Sequence, residues 1–256
     1  MLTGIFDSHA HYDDAAFDAD RELLLQMLPQ QGICAIMNIG CSIESARQSI
    51  ALAKNFPYIY TAIGIHPEFA AETTERELAE IRQMIDDEQV YAVGEIGLDY
   101  HYGKESVQAQ KKIFDAQMQL AAERKLPVVI HSRDAAADTM EILRQYPANG
   151  VIHCFGYSAE VAQEFVQMGY YIGFTGVLTF TNARKPLAAL AKVPLNRLLL
   201  ETDCPYMAPV PNRGKRCDSS MLPLTVAKMA EIQGVSEQEI VDHTRKNACR
   251  LFGIML

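Results

Sequence analysis

The sequence has no apolar run long enough to cross a bilayer: stretches such as LPVVI at 126–130 and LLL at 198–200 fall far short of the roughly 20 residues required. Its start, MLTGIFDSHAHYDD, has no basic segment, and His and Asp interrupt it before an apolar one can form, so no targeting peptide is expected. The 6 cysteines (34, 41, 154, 204, 217 and 249) are widely scattered and include no CxxC. A chain of 256 residues has core enough without staples, so the thiols are expected to be reduced, in a cytoplasmic protein. Basic charge is scarce too: 23 Lys and Arg face 32 Asp and Glu, a net charge of -9. That excludes a broad basic surface wrapped by nucleic acid, and leaves room for a local patch that captures one strand end.

What is present points to an α/β protein. With 49% hydrophobic and 21% charged residues the chain can build a large core, and disorder, collagen-like repeats and a coiled coil are excluded. Short aliphatic or β-branched runs at 4–8, 34–40, 59–65, 90–96, 127–131, 151–154, 170–174 and 197–201 predict eight strands. Between them, segments such as 42–55, 106–124 and 159–168 repeat apolar residues at i, i+3, i+4 and i+7, the pattern of a helix laid on a sheet. The stretch 222–251 reads as closing helices. This alternation predicts a (β/α)8 TIM barrel forming one domain over 1–256. An open doubly wound sheet is disfavoured, because no GxGxxG follows the first strand and no P-loop occurs.

The polar residues sit where the strands end. The first strand runs into Asp7-Ser8-His9-Ala10-His11; later ones end at His66, Glu95, His131, His153 and Glu201-Thr202-Asp203. Five of the seven histidines fall at such ends, His101 and His243 being the others. In a (β/α)8 barrel all these ends open on one face, where such barrels place their active sites. His9 and His11, at i and i+2, are either two polar loop residues or two imidazoles offered to one ion. Glu95 lies in an apolar strand between glycines, where a carboxylate needs a salt bridge or a metal. Glu201 and Asp203 would repel unless a cation lay between them, or unless Glu201 only orients a loop.

Together His9, His11, Glu95, His131, His153 and Asp203 form a nitrogen and oxygen set. It suits two divalent ions (Mg, Mn or Zn) bridged by Glu95, with no thiolate cage of the structural zinc kind. Two ions about 3.5–4 Å apart activate a water and stabilise both oxygens of an in-line phosphoryl displacement. Glu95, Glu201 and Asp203 are the candidate catalytic acids. Arg133 and Arg213 suit phosphate oxygens, and Lys215 and Arg216 either do the same or form a solvated basic loop. His66, before Pro67, either donates to a phosphate or begins a helix. Cys154 and Cys204 flank ligands, and strand alternation points Cys154 away from the ions, so both are expected to be packing residues.

At these residues the chain resembles the TatD family of metal-dependent deoxyribonucleases, one of the amidohydrolase-like barrels. The matching stretches are FDSHAH (6–11), GIHP (64–67), GEIGLDY (94–100), PVVIHSRDA (127–135), HCF (153–155), GFTGVLTF (173–180), ETDCPYMAPVPNRGKR (201–216) and RLFG (250–253). The resemblance implies a (β/α)8 barrel of the metallo-dependent hydrolase type that removes nucleotides from DNA 3′ ends, as a 3′-5′ exonuclease on single-stranded or frayed ends. It implies that His9, His11, Glu95 and Asp203 hold one ion and Glu95, His131 and His153 the other. It also implies that His66 and Arg133 contact the phosphate, and that Asp203 takes up the water proton. After RGKR the family usually continues with Asn, Glu and Pro, whereas here the chain reads Cys217-Asp218-Ser219-Ser220, a change that touches substrate positioning.

Two other functions compete. A binuclear hydrolase of the same architecture could act on another ester or amide, such as aminoacyl-tRNA, because fold does not fix chemistry. A metal-bound binding protein without turnover is motivated only by the altered loop. The expected protein is a monomer with a single-stranded DNA substrate, no membrane partner and no organic cofactor.

Overall fold

A computed structural model describes residues 2–101, 103, 105–146 and 149–256. Its eight strands are β1 (Ile5–Ala10), β2 (Ile33–Gly40), β3 (Ile59–Ile63), β4 (Val90–Asp99), β5 (Val128–Arg133), β6 (Gly150–Ile152), β7 (Tyr171–Phe174) and β8 (Leu198–Leu200). They pair in parallel and in chain order, β1 through β8. The ring closes where β1 meets the segment after β8. There Asp203 N–H donates to His9 O (2.9 Å) and His11 N–H donates to Cys204 O (2.8 Å). The fold is a (β/α)8 TIM barrel.

The helices among the described residues are α1 (Arg21–Met27), α2 (Ile43–Asn55), α3 (Glu75–Met84), α4 (Val107–Arg124), α5 (Ala136–Leu143), α6 (Ala159–Gln167), α7 (Arg184–Leu190), α8 (Leu222–Gln233) and α9 (Glu237–Phe252). The helical stretch expected over 222–251 divides in two. Gly234 takes a left-handed conformation (φ 69°) at the end of α8, and Ser236 opens α9 with a capping box to Glu239.

Parallel strands covered on both faces need apolar residues on both, which is why these runs read as continuous rather than alternating. The outward file, including Ile36, Ile63, Ile96, Ile130 and Ile172, packs in the layer beneath the helices. The inward file, including Met37, Ala62, Val129, Val151 and Leu199, fills the barrel, and Leu251 and Phe252 of α9 plug its closed end. Three strands run further than expected, to Ala10, to Asp99 and to Arg133. The extension brings His9 inside β1 and carries β4 past Glu95 to a second carboxylate. Among the described residues no helix is long and apolar enough to cross a membrane.

Candidate metal centre

Strand phase delivers most of the side chains. Val129 and Val151 point into the barrel, so the residues two further on, His131 and His153, point inward at its open mouth. β4 brings Glu95 to the same level, and β5 passes so close there that a Cβ on Gly97 would lie 1.9 Å from His131 O. Only glycine permits that approach, and its φ of 144° is one that other residues rarely adopt.

Glu95 is the centre of the arrangement, and its two oxygens face different partners. Oε2 lies 3.3 Å from His9 Nε2 and 3.9 Å from His11 Nε2. Asp203 Oδ1 completes that group, 3.6 Å from His9 Nε2 and 3.3 Å from His11 Nε2. Oε1 lies 2.8 Å from His131 Nδ1 and 2.5 Å from His153 Nε2, with His66 Nε2 at 3.8 Å. The two imidazole nitrogens of His9 and His11 stand only 3.1 Å apart. His11 Nδ1 donates to Ile39 O (3.0 Å), which turns its Nε2 to the cluster. Lone pairs and carboxylate oxygens thus converge from β1, β4, β5, β6 and the end of β8, a donor set that fits divalent metal.

The electrostatics are those of a place that draws positive charge: although burial opposes it, His11 beside Asp203 and His153 beside Glu95 are both held above the usual imidazole range. Burial opposes ionisation of Glu95, yet the imidazoles of His153, His9 and His131 hold its carboxyl well below the usual range. Burial pushes His9 down to about 4, so it is a neutral ligand near neutral pH. His131 moves the other way, up to about 9, because Asp99 and Glu95 outweigh its burial. His131 Nε2 lies 3.0 Å from Asp99 Oδ2, so this carboxylate orients the ring whose Nδ1 faces Glu95.

Sequence reasoning missed Asp99, although its spacing of four from Glu95 places both on one face of β4. It also passed over Cys41, which follows β2 at the one early strand end not considered. Its thiol lies 3.6 Å from Glu95 Oε2 and 3.8 Å from His11 Nδ1.

The mouth opens into a cleft of about 800 Å3 lined by His11, Glu95, His131, His153 and Asp203, together with His66 and Arg133. His66 also accepts a hydrogen bond from Glu68 N (3.2 Å), capping a short 3-10 turn. Asp134, Cys154, Asp203 and Met207 line this cleft with positive φ, leaving Lys125, at the end of α4, as the one such non-glycine residue elsewhere among those described. Strained backbone of this kind gathers at functional sites. The left-handed turn at Cys154 (φ 43°) breaks the strand alternation, so this residue lines the cleft instead of packing away from it.

Two other candidates lie apart from the cleft lining. Glu201 continues the inward file from Leu199 and is completely buried beneath His153, where Oε1 accepts from Cys154 N (2.5 Å). Asp203 leaves that file because its φ is 60°, so the two acids do not share a face. Burial drives the Glu201 carboxyl up to about 8, while His11 and His9 overcome burial to hold Asp203 low. Arg213 is exposed and its guanidinium lies over the Phe180 ring at 4.4 Å. Arg216 is paired with Asp20 (2.6 Å), and the altered loop faces inward as well. Ser219 Oγ donates to Asp7 Oδ2 (2.6 Å) and lies 2.7 Å from Tyr12 OH, tying that loop to the root of β1.

A family described as TatD related DNase matches residues 6–253 of the chain. The chain belongs to the TatD family. Among its TatD-type relatives, a Bacillus subtilis (strain 168) protein named uncharacterized metal-dependent hydrolase YabD is 39% identical over 253 residues, covering 98% of this chain and 99% of the other. The 3'-5' ssDNA/RNA exonuclease TatD of Dickeya dadantii is 33% identical, with 97% of each chain covered. The crystal structure of YjjV, a TatD homolog from Escherichia coli K12, superposes with a TM-score of 0.92 at 32% identity, covering 100% of both chains.

Proposed function

We propose that this metal-dependent hydrolase of the TatD type cleaves phosphodiester bonds of DNA, removing nucleotides from single-stranded or frayed 3′ ends with two divalent ions. The observation that carries the reading is the division of Glu95, with one oxygen toward His9, His11 and Asp203 and the other toward His131 and His153. His9, His11, Glu95, His131, His153 and Asp203 would hold the ions, which would supply Lewis-acid polarisation of a phosphoryl oxygen and lower the pKa of a water. The chain's own residues do the rest. Arg133, at the end of β5 and two residues past His131, offers a fork of donors to a phosphate entering the cleft. Asp203, whose carboxyl is held low by His11 and His9 against burial, accepts the proton released by the attacking water. His66 Nε2 faces the same space and can donate to a non-bridging oxygen. A net charge of -9 suits capture of one strand end in a cleft, not binding along a duplex. Polarity and the preference for single strands follow the Dickeya relative, itself named a 3'-5' ssDNA/RNA exonuclease.

The test is metal add-back. Chelated protein is mixed with 5′-labelled single-stranded DNA, Mg, Mn or Zn is restored separately, and Glu95→Ala is run alongside. A ladder shortening from the 3′ end, present only with metal and the native chain, supports the reading. Equal cleavage in chelator, or an active Glu95→Ala, refutes it.

A further inference from the structure

The mouth of the cleft is lined by two kinds of surface. Among the described residues eight large apolar side chains are exposed, and three of them, Phe69, Tyr206 and Met207, line the cleft that holds the metal-ligand cluster. The two aromatics are 40% and 56% exposed. Each is tied by a tight turn to a residue of the site. Phe69 N–H donates to His66 O (3.0 Å), and Tyr206 N–H donates to Asp203 O (2.9 Å). A four-residue turn keeps its end Cα atoms within about 7 Å, so both ring-bearing residues are held one turn from the cluster. They leave the barrel after β3 and β8, on either side of β1 and β2, and Tyr206 OH reaches Asp14 Oδ2 (3.2 Å). Besides Asp203 of the cluster, the acids on this side of the lining are Asp13, Asp14 and Glu68, which repel phosphate. Across the mouth, Arg133 after β5 and Lys185 on α7 supply cations, with Asp134 beside Arg133 facing His101 at 3.2 Å.

We propose that Phe69 and Tyr206 form a base-stacking subsite that takes the terminal bases of a single-stranded nucleic acid, while the Arg133 and Lys185 side takes its backbone. This rests on the phosphodiesterase reading above and names the part of the substrate that the chain grips. Uncharged bases have π faces that stack on aromatic rings whatever their identity, and they tolerate neighbouring carboxylates that a phosphate would avoid. Water otherwise covers both rings, so a base laid on either one buries apolar surface on both partners. The subsite grips an unpaired end and not a duplex, whose bases are already stacked on one another.

The experiment uses the metal-loaded protein and two single strands of one length, one complete and one whose last nucleotides are abasic. The native chain is expected to cut the complete strand faster, and Phe69→Ala or Tyr206→Ala to shrink the ratio of the two rates by about tenfold, the effect of losing one stacked base. Tyr206→Phe keeps the ring without the hydroxyl and is expected to preserve the ratio. In parallel, a strand carrying 2-aminopurine at its 3′ end and a phosphorothioate at the last linkage is titrated with each protein. Quenching by the native chain that is lost in Phe69→Ala and Tyr206→Ala reports the stacking directly. Cleavage with equal rates on both strands, or variants that slow both alike, overturns the subsite while leaving the nuclease standing. If no strand is cut, the nuclease reading falls, and the quenching titration decides the subsite by itself: quenching that the variants lose supports it, and its absence overturns it.

Discussion

At the closed end of the barrel interior, Val129, Val151 and Leu199 pack with Leu251 and Phe252; two residues further along the same three strands stand His131, His153 and Glu201. The backbone places side chains inward with the same phase at both ends, so the difference lies wholly in which side chains it delivers. At the closed end each buried apolar group stabilises the fold by removing area from water, about 25 cal/mol per Å2. At the open end the same burial opposes charge, and the groups are tolerated because they face one another and are placed to share a cation. One end is therefore expected to be insensitive to metal and the other to depend on it.

The sharpest break of that contrast is Glu95→Ala. Removing the carboxylate that both groups share is expected to cost on the order of a thousandfold in hydrolysis. Metal content should fall with it, read by elemental analysis of the purified protein. Phe252→Ala is the converse: its ring packs against Phe6 with centroids 6.2 Å apart, and its loss is expected to cost about 3–5 kcal/mol of stability in denaturant melts. Metal per chain should stay as in the native protein, and a loss of metal would show that the two ends are not independent. Asp99→Ala removes the carboxylate that orients His131 and is expected to weaken metal affinity or activity by roughly 10–100-fold. Competition with a chromogenic chelator measures it.

Smaller effects concern the residues away from the cleft lining. Glu201→Gln keeps the volume and the oxygen that accepts from Cys154 N, so the rate is expected to change by less than about fivefold, the scale of one ordinary hydrogen bond. A hundredfold loss would return Glu201 to the catalytic acids. Arg213→Ala should alter the rate by less than about twofold, because an exposed guanidinium stacked on a half-buried aromatic is worth roughly 0.5–1 kcal/mol locally. A steep loss confined to KM would instead place it on the substrate.

Much of the barrel was legible because parallel strands and amphipathic helices have their own periods, and both survive without knowledge of neighbours. The strand ends were legible for a related reason: an ionisable residue at the end of an apolar run is costly to place anywhere but at a site. Alternation failed where the backbone turned left-handed. Cys154 and Asp203 both adopt positive φ, so one enters the cleft when it was expected to pack, and the other parts company with Glu201. A φ of that sign is uncommon outside glycine, and nothing in the spacing announces it. The altered loop was legible as a departure, but not as a buried hydroxyl bonded to Asp7 across 212 positions of sequence.

The sequence by itself determined the eightfold alternation, the face on which the polar residues gather and the acid and imidazole chemistry they bring. Local periodicity and the cost of burying charge are properties of short segments, readable one at a time. Which oxygen of Glu95 faces which histidines, which carboxylate orients His131, and which aromatics stand beside the cluster were decided only by the tertiary structure. Those relations join β1, β4, β5, β6 and the end of β8, and they come into being only when the closing of the ring sets residues distant in sequence within a few ångströms of each other.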